Sequence, residues 1–202
     1  MGALGTLGND RATQAEARAR YAAYKSDSAT VDPNLVPALV SIVAHSGDEA
    51  DYDEFYTAFK TAKTPQEEMR YLFALAAFQP SELFERTLVL TTNGEVRTQN
   101  APFLMRQLLL NTQQRERAWQ FLKDNWDAML GHYPASTIPR MCEGVTGLVT
   151  PQLKAEVTAF FAAHPVKGGE KMVQQHLEKL RIAVACQQRE LDNLRDYFEW
   201  TP

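Results

Sequence analysis

Val173, Leu177, Leu180, Val184, Leu191, Leu194 and Phe198 recur in alternating steps of four and three residues, with Gln187 alone interrupting the apolar series. A chain spaced this way cannot lie in a sheet. The step matches the turn of an α-helix and keeps these side chains on one face over about seven turns. Trp119, Leu122, Trp126, Met129 and Tyr133 follow the same rule. Shorter stripes are Phe55, Phe59 and Ala62, then Met69, Leu72, Phe73 and Ala76. Nowhere does the strict alternation of a half-buried strand appear. Thr87–Thr91 is β-branched enough for a strand, but it follows Pro80-Ser81-Glu82 without a break and is read as helix.

Start and stop signals frame these stripes. Asp32-Pro33, Thr64-Pro65 and Thr150-Pro151 each place an N-cap side chain before a proline that forfeits no helical hydrogen bond. Thr64 and Glu67 have capping-box spacing. Gly47, Asn93-Gly94, Gly131 and Pro165 mark stops. The expectation is an all-α chain of about ten helices, at 9–25, 33–45, 49–62, 65–78, 80–91, 98–110, 113–131, 136–148, 151–163 and 169–198. Short connections pair neighbours as antiparallel hairpins. Five hairpins without a strong repeat predict an irregular α-solenoid of the HEAT or armadillo kind, read as a single domain over 1–202.

At 202 residues the chain can bury a core without a disulfide or metal staple. Its net charge of −4 argues against nucleic acid as a partner. No apolar run is long enough to cross a bilayer, and Met1-Gly2-Ala3-Leu4-Gly5 lacks the features of a secretory signal, so no membrane partner is expected. The two cysteines, Cys142 and Cys186, fit a reducing compartment, and a cytoplasmic location is expected.

The residues offer little chemistry. His176-Leu-Glu-Lys-Leu180 approaches the His-Glu-x-x-His zinc motif but has no second histidine. His45, His132 and His164 lie near helix ends, where the dipole favours an imidazolium. The cysteines lack Cys-x-x-Cys spacing and read as structural thiols. No nucleophile elbow, phosphate loop or dinucleotide fingerprint occurs. Asp51 with Asp53, and Glu67 with Glu68, answer the positive ends of their helices. Gln187 is expected to bond a neighbouring loop carbonyl, with ligand contact as the alternative. The aromatic stripes read as core, with a peptide groove as the alternative.

Six stretches in order resemble one family. Leu4-Gly-Thr-Leu-Gly-Asn-Asp10 resembles the helix end and Gly-Asp element of the C-terminal helical domain of the aminopeptidase N family of zinc aminopeptidases, which includes the puromycin-sensitive and endoplasmic-reticulum enzymes. Glu68-Met-Arg-Tyr-Leu-Phe-Ala-Leu-Ala76, Val96-Arg-Thr-Gln-Asn100 and Glu156-Val-Thr-Ala-Phe-Phe161 are similar to further elements, as is Val173-Gln-Gln-His-Leu-Glu178. Arg117-Ala-Trp-Gln-Phe-Leu-Lys-Asp-Asn-Trp126 resembles the most distinctive one. The sequence departs at Cys186-Gln-Gln, where relatives often carry Trp-Leu, and at Asn100, where Asp is common.

The resemblance implies an accessory domain, the later part of a larger C-terminal domain. It closes over the active site and lines a peptide chamber without itself being catalytic. Its partners would be the catalytic domain and the peptide substrate. No cofactor is implied in this chain; zinc belongs to the missing catalytic domain. The alternative is a free-standing helical-repeat module that binds proteins or peptides.

Some residues carry particular expectations. Trp119 and Trp126, seven apart, are expected to press one neighbour as structural anchors. Arg97 and Gln99 are expected to organise the start of helix 98–110 by satisfying backbone carbonyls. Arg140, just after Ser136-Thr-Ile-Pro139, sits early in a helix where the dipole disfavours a cation. Either a neighbouring acid offsets that charge, or Arg140 and Ser136 contact substrate. Ala3-Leu4-Gly5-Thr6-Leu7 reads as the last turn of a helix that begins upstream. Leu4, Leu7 and the face of Ala12, Ala15, Ala19, Ala22 and Ala23 would then lack a cover, and weak self-association through this end is expected.

Overall fold

The computed structural model describes residues 1–200, so the last two residues of the expected 1–202 domain lie outside it. Among the described residues it is all-helical, with twelve α-helices and three 3-10 segments. The chain divides into two compact units, Met1–Asn93 and Gly94–Pro202.

The first unit holds α1 (Gly2–Gly5), α2 (Arg11–Ser26), a 3-10 turn at Ser28–Thr30, α3 (Val36–His45), α4 (Glu49–Thr61), α5 (Pro65–Ala74), a 3-10 turn at Leu75–Ala77 and α6 (Ser81–Leu90). α2 packs on α3, and α4 on α5. Its centre is aromatic. The rings of Tyr21, Tyr71 and Phe78 each meet Phe55 edge-on, at 5.5, 5.3 and 5.7 Å. Edge-on contact sets ring hydrogens against the electron-rich face of the next ring. The phenols keep hydrogen bonds in the interior: Tyr21 Oη donates to Tyr71 Oη at 3.2 Å, and Tyr52 Oη meets Thr87 Oγ1 at 3.0 Å. Thr87 also donates to the carbonyl of Leu83. Residues 87–90 are helical, so the β-branched stretch does not become a strand.

Two cap signals in this unit act differently from expectation. Asp32 does not cap a helix at Pro33. Its carboxylate accepts from the Asn34 N–H at 2.8 Å and holds a turn, and α3 begins at Val36. Thr64 does cap α5, but Glu67 reaches back to the N–H of Lys63 rather than that of Thr64. The full capping box is instead Asp48 with Asp51. Asp51 also pairs with Arg18 at 2.8 Å, and Asp53 with Arg86 at 2.6 Å. The face of Ala12, Ala15, Ala19, Ala22 and Ala23 is exposed, as are Leu4 and Leu7.

The second unit holds α7 (Ala101–Leu110), α8 (Arg115–Asp124), α9 (Trp126–His132), α10 (Ile138–Met141), a 3-10 segment at Cys142–Gly147, α11 (Pro151–Ala163) and α12 (Glu170–Trp200). The 3-10 segment packs against both α7 and α12, and α11 packs on α12. α7 starts three residues later than expected, because the carbonyl of Arg97 accepts from the N–H groups of both Asn100 and Ala101 and closes a turn first.

The helix expected at 113–131 is two helices. At Asn125 the backbone leaves the helical region (φ −112°, ψ 11°), and its side-chain Nδ2 donates to the Phe121 carbonyl at 2.9 Å. This is the local side-chain competition that makes asparagine a poor helix-interior residue. The helix expected at 136–148 becomes a four-residue α-turn followed by a 3-10 segment. A Cβ on Gly144 would lie 2.7 Å from the Leu109 Cβ, so the segment sits closer to α7 than an ordinary side chain permits.

The long stripe of α12 is buried only in its first half. Val173, Leu180 and Val184 are core, whereas every residue from Ala185 to Glu199 is exposed. Gln187 is among these exposed residues and is not turned to a loop carbonyl.

Candidate functional site

The residues singled out for function all fall in the second unit. Ser136 and Arg140 are exposed on the stretch leading through α10. This stretch is pinned from beneath. Ile138, Pro139, Met141 and Cys142 are buried, and Thr137 Oγ1 donates to the Pro134 carbonyl at 2.7 Å. His176 on α12 is buried and its Nε2 lies 3.1 Å from the Pro139 carbonyl. A carbonyl only accepts, so Nε2 carries the proton and Nδ1 is left as an acceptor; Nδ1 is buried and has no partner. Gly169 lies against the Pro139 ring so closely that a Cβ there would come within 2.2 Å of Cγ.

Arg140 is the third residue of α10, early in the helix as its sequence position implies, but the helix is a single turn. α10 has only four residues, so Arg140 stands in its last turn as well. The nearby acid, Glu143, pairs with Arg106 at 3.0 Å and Lys179 at 3.9 Å rather than with Arg140. Arg97 and Gln99 are exposed in the turn before α7. Trp119 and Trp126 are both buried, and their rings meet the same Phe160 ring at 5.2 and 5.3 Å.

Between α8 and α11 lies a groove of about 500 Å³ that includes Glu116, Trp119, Lys123, Thr150, Pro151 and Glu156 in its walls. Lys123 stands over the Trp119 ring at 5.5 Å and reaches Glu156 at 3.5 Å. The Trp119 Nε1–H is buried without an acceptor. Neither Ser136 nor Arg140 lines this groove. The sequence favours core for Trp119, with a peptide groove as the alternative for its stripe, and the structure gives it both a buried ring and a place in this groove. The signal for the groove was Lys123 one helical turn after Trp119, opposite a Thr-Pro helix start. Its groups can pair charges and exchange hydrogen bonds.

Burial pushes the Cys142 thiol up to about 12, and burial likewise holds the His176 imidazole below its ordinary value. Both therefore favour their neutral forms. Among the described residues no group of three or more His, Cys, Asp or Glu side chains could hold a metal ion. None of the described helices is long and apolar enough to cross a membrane.

The exposed Arg140 and the groove beside Trp119 are the candidate contact features of the second unit. Comparison with known proteins adds the family context. The family model described as ERAP1-like C-terminal domain matches residues 1–182, and the chain belongs to that family. It is 28% identical over 185 residues to aminopeptidase M1-D of Oryza sativa subsp. japonica, covering 88% of this chain and 21% of that protein. It is 24% identical over 196 residues to the alanine/arginine aminopeptidase of Saccharomyces cerevisiae, covering 95% and 23%. Aminopeptidase M1-B of Oryza sativa subsp. japonica is 30% identical over 136 residues, covering 66% and 15%. The chain thus spans about a fifth of the length of most of these curated relatives.

Proposed function

We propose that this chain is the C-terminal accessory portion of a zinc aminopeptidase, closing over an active site carried elsewhere in the protein and lining its peptide chamber. The observation that carries this reading is the family match over residues 1–182. Closure of such a lid excludes water and positions substrate, and it needs no nucleophile, base or metal ligand on the lid itself. The zinc belongs to the catalytic domain, which together with the peptide substrate is this chain's partner, and the whole enzyme works in the cytoplasm. Arg140, exposed on a pinned stretch and unclaimed by Glu143, is the side chain best placed to hold a peptide carboxylate, with Ser136 beside it in sequence. Arg97, Gln99, Trp119 and Trp126 serve the scaffold. The exposed alanine face of α2, with Leu4 and Leu7, supports weak self-association through that end.

Kinetics of the whole enzyme test the reading. Arg140→Ala should weaken turnover of long peptides more than that of dipeptide-sized substrates. Equal loss on both, or none on either, would remove Arg140 from the chamber. A gene whose reading frame encodes no His-Glu-x-x-His upstream of this segment would remove the aminopeptidase reading itself.

A further inference from the structure

In the outer half of α12 the core positions recur every seven residues, Gln187 being the one polar member, yet no described residue of its own unit buries them. Within the unit Val184 is 1% exposed; beyond it Leu191, Leu194 and Phe198 are 38%, 53% and 68% exposed. The stretch also lies beyond the residues that the family model matches. An ideal helix drifts by about 20° per heptad against such a repeat, so the stripe stays in line only along a partner helix that supercoils with it. We propose that Gln187–Phe198 is a homodimer seam, in which two copies of this chain pack these segments side by side as a short parallel coiled coil.

The flanking charges select this occupant and its direction. With Leu191 and Phe198 as one set of core positions and Gln187 and Leu194 as the other, Glu190 borders one side of the seam and Arg195 the other. In a parallel pair, a residue on the first flank faces the residue five places later on the partner's second flank. Glu190 of each chain therefore meets Arg195 of its partner. In an antiparallel pair like flanks meet, and Glu190 gains only Ala183, Glu190 or Tyr197 of the other copy. Gln187 would face its counterpart, where two amides can bond each other and fix the register.

The cost of forming the seam is low. The helix is already seeded by its packed first half, so no nucleation is needed. In the single chain Glu190 bonds Arg189 and Asn193, and Arg195 lies 3.5 Å from Asp192. These are exposed pairs whose exchange for partners across the seam costs little.

Sedimentation velocity of the 202-residue chain over a concentration series should show a monomer–dimer equilibrium. Glu190→Arg alone and Arg195→Glu alone should each raise the dissociation constant about tenfold, because each sets like charges across the seam. An equimolar mixture of the two variants should restore wild-type affinity as a heterodimer, with unchanged helical circular dichroism throughout. Leu191→Glu with Leu194→Glu should abolish the dimer. In a Cys186→Ser background, Gln187→Cys and Phe198→Cys should each form a disulfide-linked homodimer. A chain that stays monomeric overturns the proposal. So does a dimer indifferent to both charge reversals, which would place the contact at the α2 face, a mixture no tighter than the single variants, or cross-linking of position 187 only to position 198.

Discussion

His176 Nε2 donates to the carbonyl of Pro139 across 3.1 Å, tying the N-terminal turns of α12 to the base of the Arg140 stretch. Its other nitrogen is buried without a partner. Burial outweighs the opposing effect of the Pro139 carbonyl and holds its pKa below the usual histidine value. A depressed folded-state pKa means that the unfolded chain binds the extra proton first. The stabilisation is complete above the unfolded value of about 6.5 and is lost as pH falls below it. Melting temperature should fall between pH 7 and pH 5, and His176→Gln should flatten that dependence. An amide can still donate to Pro139 but does not titrate. His45, also depressed by burial, leaves a residual slope. An unchanged slope in the variant would assign the acid sensitivity elsewhere.

Trp119 and Trp126 are 1% and 3% exposed and share Phe160. Replacing either with Ala should cost roughly 3–5 kcal/mol in urea melts. Trp119→Phe should cost markedly less than Trp119→Ala, because phenylalanine keeps a ring against Phe160 and the lost indole N–H had no acceptor. A loss equal to that of the Ala variant would show that a smaller ring does not keep the contact with Phe160.

Gly169→Ala should destabilise by about 1–3 kcal/mol, since the added methyl group meets the stiff Pro139 ring. Gly131→Ala, whose Cβ would meet nothing within 4 Å, serves as the control and should be neutral or mildly stabilising. Chemical denaturation of the two variants makes the comparison. Equal stability would mean that the α10 stretch is not held against α12 at this point.

The folded chain should titrate one thiol with an aromatic disulfide reagent at pH 8, and two after denaturation. Cys186 is exposed, whereas Cys142 is buried with its thiol pushed up to about 12. Rapid native reaction of both thiols would show that the 3-10 segment opens readily.

That the chain is helical, and where most of its helices lie, is legible in the residues alone, because the apolar period and the cap chemistry are local properties. Thr64 and Thr150 each accept the N–H three residues on, with a proline at the first helical position, as their spacing requires. The sequence also carried the family resemblance, since the ordered stretches from Leu4 to Glu178 fall within the matched residues 1–182. Tertiary structure decided what the period could not. The same four-and-three step runs from Val173 to Phe198, but only packing decided that Val184 is core and Leu191 is surface. The step records which side of a helix is apolar, whereas burial depends on whether another element reaches that side. The break at Asn125 and the tightening at Cys142–Gly147 arise similarly, from an asparagine bonding its own helix and a glycine pressed on Leu109. The ring shared by Trp119 and Trp126, and the groove beside it, exist only because α11 folds back on α8. Contacts between residues distant in sequence leave no periodic trace, so the site emerges only when the chain is folded.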